Sequence, residues 1–402
     1  MAGRRRAMSR AGSFVALGAL LAAVPACGGG DGAPADARST AVQHVLDRRA
    51  AAVVAGDATA YRATGGADPT LLSDLAEVPL DGWSYRLTAL GRTEHARATA
   101  TAELRYRVEG YDKAPVVTER TLTLRQSGGH WTVTDDRPAK KSAEQLWEQG
   151  RVTVVEGEHS LVLGVGQRRS TLRSYADDAD DAVPAVDSAW GTDWARRVVV
   201  VVPKSLDGMG ELLGAPASGY QGIAAVTTGE AGGSGTAPAD RVIVNPEAYS
   251  VLGYFGKQVV LTHETAHVAT RSVTSAATPL WLSEGYADWA GYRGSGRTPG
   301  EAAPELQRAV RGGAAPGTLP DDADFGFSGD SADLAQAYES GWLACRMIAD
   351  GWGEEKLNAF YKAVGGHRQR TGAVDDAAQS VLGIDEREFV ARWRAYVQEQ
   401  LG

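Results

Sequence analysis

Cysteine is almost missing from this sequence: 402 residues contain two, Cys27 and Cys345. No disulfide framework can therefore be inferred, and Cys345, inside an apolar helical stretch, reads as a small buried hydrophobe. Basic blocks are also missing once the N-terminus is passed. With a net charge of -9 and a sequence pI near 5.4, this argues against nucleic acid as a partner. Histidine is scarce, seven in all, and no internal repeat is evident. The length is enough for two domains, each with a core of its own.

The N-terminus has the form of an export signal. "MAGRRRAMSR" is a positive n-region, and "FVALGALLAAV" is an apolar run of eleven residues, short of the roughly 20 that a spanning helix needs. The "VPAC" that follows resembles a bacterial lipobox, which implies removal of the signal, acylation of Cys27 as the first mature residue, and anchoring to the outer face of the cell membrane. Plain secretion with a nearby cut is the alternative. A Gly/Ala/Pro-rich tether, residues 28–39, would hold a folded body off the membrane.

From residue 40 to 137 the pattern is helix then strands. "TAVQHVLDRRAAAVVAGDATAYRAT" has helical apolar spacing, and four strand-like runs follow, ending on "HWTVTDD". The order resembles the NTF2-like (SnoaL-like) α+β cone. His44, His95 and His130 within it read as surface or packing residues. Residues 138–150 read as a polar connector with a short helix. Residues 151–402 then begin with strands, among them "ARRVVVVVP", whose unbroken valines suggest burial on both faces. "DGMGELLGAPASGYQG" reads as loop, "IAAVTTG" and "RVIVNP" as strands, and everything beyond Tyr249 as helical in period. The expected fold class is α+β, a cone followed by a mixed sheet and a helical half.

Within that half stands "VVLTHETAHVATR", residues 259–271. On a helix, residues four apart project from one face, so His263 and His267 can grip one Zn²⁺ while Glu264 reaches a water beside it. Val259, Val260, Ala266 and Val268 make this a buried helix rather than a wet one. A catalytic zinc usually takes three protein ligands. Val273 and Thr270 stand where one class would place a third histidine and its preceding glycine, so that class is excluded. Sixteen residues separate His267 from Glu284 in "PLWLSEGYADWAGY". Glu284 can return on a second helix, and Asp288, on the same face, can accept the free ring N–H of a ligating histidine.

These residues resemble the gluzincin metallopeptidases, the H-E-x-x-H…E group that includes thermolysin and the M1 aminopeptidases, and "WLSEGYADW" resembles the glutamate helix of the peptidase MA-like families. The resemblance implies one Zn²⁺ per chain on His263, His267 and Glu284, with Glu264 as general base and a peptide or protein as substrate. "AYESG" is similar to the M1 Y-x-x-G stretch, which implies that Tyr338, followed by Gly341, stabilises the oxyanion. It also implies that an edge strand near Gly222, Ala224 and Ala225 pairs with the substrate backbone. M1 aminopeptidases hold a free α-amino group with the glutamate of a G-x-M-E-N motif. Here Gly222 matches the glycine, Ala225 stands at the glutamate, and Glu230 is a poor substitute. An endopeptidase is therefore expected. A catalytically silent surface binding protein and a zinc hydrolase acting on a non-peptide bond are the other readings.

Overall fold

The computed structural model describes residues 35–228, 240–326 and 330–402. Cys27, the signal segment and Glu230 lie outside these. The first half is built on helix α1 (Ala35–Ala55) and a four-stranded antiparallel meander, β1 (Leu80–Leu90), β2 (Arg97–Val108), β3 (Val116–Ser127) and β4 (His130–Pro138). Each element has the period its conformation requires. Val42, Val45, Leu46, Ala50 and Val53 make one face of α1, and on β2 every second residue from Ala98 to Val108 is buried.

Residues 138–150 are docked onto this sheet. Arg120 binds both Asp136 and Glu148 at 2.8 Å, and Tyr106 O–H donates to Gln145 at 2.8 Å. Trp147 packs between Trp83 and Tyr106, 5.2 and 4.9 Å from their ring centres.

A second sheet follows, made of β5 (Val152–Glu156), β6 (Ser160–Val165), β7 (Val198–Val202), β8 (Ala225–Thr227) and β9 (Arg241–Val244). Its order is β5-β6-β7-β9-β8, with β6, β7 and β9 parallel and both edge strands antiparallel. Helix α2 (Arg169–Trp190) makes the crossover from β6 to β7. The five consecutive valines of β7 are all buried, and the two-residue period divides them. Val199 and Val201 join the core shared with the first half, while Val198, Val200 and Val202 pack toward α2. The unbroken run is the signature of a strand with apolar matter on both faces.

Helix α3 (Leu206–Leu213) occupies part of the segment expected to be loop. Two glycines inside it weaken its helical signal. Ser205 caps its start by accepting the Gly208 N–H, and Gly214 ends it at φ 64°.

The rest is helical: α4 (Tyr254–Thr270), α5 (Leu280–Tyr292), α6 (Pro304–Arg311), α7 (Ser331–Trp352), α8 (Glu354–Gly365) and α9 (Glu386–Leu401). The α+β organisation expected from the sequence, a sheet-rich first part followed by a mixed sheet and a helical half, is present. Cys345 is fully buried with a free thiol. No helix among the described residues is long and apolar enough to cross a membrane.

Helices α5 and α7 meet backbone to backbone. A Cβ on Gly285 would lie 2.2 Å from the Gly341 carbonyl oxygen, and one on Gly341 would lie 2.5 Å from the Trp281 oxygen. Gly285→Ala must therefore separate the helices and should cost about 1–3 kcal/mol, the usual range for overpacking. Gly351→Ala, on the exposed end of the same α7 with nothing within 4 Å, should instead stabilise by about 0.5–1 kcal/mol. Urea denaturation of the two variants checks the contrast, and equal effects would remove the close contact as the reason for Gly285.

Candidate metal centre and active site

Helix α4 carries the H-E-x-x-H segment. Its N-terminal part is locked by Asp178 of α2, which accepts from Gln258 at 3.2 Å and from Tyr249 O–H at 2.9 Å. His263 and His267 thus lie on one face, opposite Glu284 of α5. His263 Nε2 and His267 Nε2 are 3.1 Å apart, and each is 3.3 Å from Glu284 Oε2. A tetrahedral zinc with bonds of about 2.0–2.1 Å would require ligand atoms about 3.3 Å apart. The three donors therefore form one face of such a site, and among the described residues they are the group able to hold a metal.

The tautomer of His263 follows from its neighbour. Asp288, one turn beyond Glu284, places Oδ1 2.8 Å from His263 Nδ1. An ionised carboxylate only accepts, so Nδ1 carries the hydrogen and Nε2 presents its lone pair to the centre. Charge at the centre is strongly shaped. Burial works against ionisation of both His263 and Glu284, yet carboxylates overrule it at the imidazole. Asp288, then Glu284 and Glu264, hold His263 well above its ordinary range. His267, with hydrogen bonds from both rings, holds Glu284 well below the usual carboxylate range. Three carboxylates around two imidazoles make a pocket that favours positive charge.

Glu264 is buried, and its orientation is set by a residue that the motif does not contain. Thr227, fully buried at the end of edge strand β8, donates its hydroxyl to Glu264 Oε2 at 2.6 Å and lies 3.2 Å from the Glu264 backbone oxygen. Thr227 is 37 residues from Glu264, so only the fold reveals the pair. Tyr338 is half-buried on α7. Its ring centre is 6.3 Å from that of His263, and Phe325 meets it edge-on at 5.2 Å. Glu339 beside it accepts the N–H groups of Glu305 and Leu306 at the start of α6. Burial pushes the Glu339 carboxyl up to about 7.

The residues expected to bind substrate lie at or near β8. Gly222 is an exposed turn residue at φ 85°, and the Ala224 carbonyl accepts from Asn245 N–H at 2.9 Å. The side chain of Ala225 is buried in the core with Leu261. What this strand offers outward is backbone. Ala224 O and Thr228 N bond to the β9 side, so by antiparallel alternation the peptide groups of Ala225 and Thr227 point to the outer edge. His44, His95, His130, His159 and His367 lie elsewhere: His159 is 3.8 Å from Glu158, and His367 bonds Asp376 at 3.0 Å.

No family model matches the chain, and no curated protein matches it. Among solved structures it is similar to an M1 zinc metallopeptidase mutant from Deinococcus radiodurans bound to a Tyr-Ser-Ala substrate, at 13% identity and a TM-score of 0.35 over 76% of this chain and 62% of that one. A two-domain M1 zinc metallopeptidase mutant bound to L-arginine is similar at 13% identity and 0.36, over 77% and 62%. A further structure of an M1 zinc metallopeptidase mutant from Deinococcus radiodurans gives 12% and 0.35, over 79% and 70%. The chain thus spans less than two thirds of the length of the first two. At such scores the chemistry rests on the site's own geometry.

That geometry makes three residues interdependent. His263→Ala, His267→Ala and Glu284→Ala should each lower the zinc bound per chain, read by elemental analysis after dialysis against trace zinc. Asp288→Asn should keep the site but weaken it by about 10–100-fold, the usual cost of losing such a support. Undiminished zinc in the three alanine variants would sink the ligand set.

Proposed function

We propose that this chain is a zinc-dependent peptidase, in all an endopeptidase anchored through Cys27 at the outer face of the cell membrane. The observation that carries the reading is the triangle of His263 Nε2, His267 Nε2 and Glu284 Oε2, with Glu264 on the same helix turn and oriented by Thr227. A zinc ion held there supplies a Lewis acid that polarises a carbonyl and makes a water acidic near neutral pH.

The chain's own groups do the rest. Glu264 takes the proton from the attacking water and delivers it to the leaving amine. Thr227 keeps that carboxylate in one orientation, so no rotamer search precedes the transfer. Tyr338 O–H meets the charge that grows on the carbonyl oxygen, an interaction realised only in the transition state. The outward peptide groups of Ala225 and Thr227 pair with an extended substrate backbone, as an added antiparallel strand does. No glutamate stands at Ala225 to hold an α-amino group, which favours internal cleavage.

Glu264→Gln should leave about one zinc per chain while turnover falls by about 10²–10⁴. Tyr338→Phe should lower kcat with KM little changed, by about 2.7–4 kcal/mol of transition-state stabilisation. Thr227→Val should also lower kcat at constant zinc, and Thr227→Ser should restore it. Zinc lost in parallel with activity in Glu264→Gln would overturn the assignment of roles.

Matched peptides with free and acetylated N-termini should be cut alike at internal bonds. Stepwise release of N-terminal residues, abolished by acetylation, would replace the endopeptidase by an aminopeptidase. The anchor is tested by Cys27→Ser, which should move the protein from the detergent phase to the aqueous phase; wild-type protein already aqueous and lipid-free would remove it.

A further inference from the structure

The core that the two halves share is not filled throughout. Between the first sheet and the far face of the second lies a cavity of about 320 Å³, a size typical of the smaller small-molecule sites. Tyr106, Val108 and Val116 line it from one side, Leu163, Val201 and Ile243 from the other, and Trp147 lies among them. Interiors pack as densely as organic crystals, and an apolar void of this size forfeits contacts along its whole lining. Water gains little there, because polar partners are confined to a few groups.

Those polar groups define what can enter. Arg241 lines the cavity, but Asp112 neutralises it through two bonds of 2.9 and 2.8 Å. Glu144 also lines it, and burial, with Glu211 and Glu148 nearby, pushes its carboxyl up. The cation on the lining is thus already paired, and a charged ligand would give up its hydration to walls that are mainly apolar. The cavity does offer a donor: Thr228 Oγ1 accepts the Arg241 N–H at 2.8 Å and keeps its own O–H to give.

We propose that this inter-sheet cavity is a binding site for a neutral small molecule with an apolar body and one hydrogen-bond-accepting group, separate from the metal centre. Nothing in this assignment depends on peptide hydrolysis. Alternate residues of a strand face opposite sides of the sheet, so Thr227 bonds Glu264 on one face while Thr228 lines the cavity on the other.

The test uses N-phenyl-1-naphthylamine, a neutral apolar fluorophore, with the full mature chain. Saturable enhancement at one site per chain is expected, with quenching of tryptophan emission. Val201→Phe and Val108→Phe fill the cavity from opposite walls, and whichever retains the native circular dichroism spectrum should bind at least tenfold more weakly. 1-Octanol should displace the probe, whereas octanoate and octylammonium should not at the same concentration. Chelation of zinc should leave the titration unchanged, so a failed peptidase assay and a failed binding assay remain distinct results. No saturable binding, undiminished binding in a folded filling variant, or equal displacement by the charged octyl compounds would each overturn the site.

Discussion

Glu284 and His267 are each about 4% exposed, and a lone charge buried to that degree would destabilise the fold by several kcal/mol. Placing them together makes the arrangement tolerable, and much around them can be understood as the means of keeping them so. Asp288 orients His263 and adds the negative charge that draws cations to the centre. Gly285 and Gly341 bring α7 onto α5 with no side chain between them. Gly291 does the same toward α4, where a Cβ would lie 3.0 Å from the Val259 oxygen. Donor separations of 3.1–3.3 Å leave no slack for a helix displaced by even one methyl group. The glycines are thus part of the chemistry, although none carries a functional group.

The second sheet sets the distance between this centre and the first half of the chain. Its β7 is apolar on both faces because each face has its own core, one shared with the meander and one with α2 and α4. A strand that served a single core would have needed polar residues at alternate positions. The five-valine run, the buried Asp112–Arg241 pair and the docking of residues 138–150 through Arg120 and Glu148 all tie the first half to the sheet. A connection this buried resists the hinge motion expected of two bodies on a flexible linker.

Much of the molecule was legible in the residue order, for a physical reason. The meander strands alternate cleanly, and α2 repeats its apolar residues with helical period as far as Gly191, so local chemistry alone locates them. The H-E-x-x-H spacing and the E-x-x-x-D spacing are helical facts too, and each puts its pair on one face without reference to the fold. Helix α3 was hidden because its glycines erase the helical signal, while its stability comes from tertiary burial of Met209. Thr227 was hidden for a different reason. A threonine at a strand end carries no distinguishing pattern, and its meaning arises only from the 2.6 Å contact with Glu264 across 37 residues.

That contact gives β8 a position no other strand among the described residues shares. It is an edge strand of three residues, so its own ladder with β9 is brief, and short edge strands belong to the less stable parts of a fold. Yet its end carries Thr227 to the Glu264 carboxylate, and the next residue, Thr228, faces the cavity and accepts a hydrogen bond at its carbonyl from Arg271 of the loop after α4, at 2.8 Å. Arg271 in turn holds Asp240 at 2.9 and 3.0 Å, at the start of the neighbouring strand. Backbone shifts at Thr228 cannot leave Thr227 untouched, because a strand this short has no interior to absorb them. The strand thus joins the Glu264 carboxylate on one face of the sheet to the inter-sheet cavity on the other, while two helices hold His263, His267 and Glu284 independently of it.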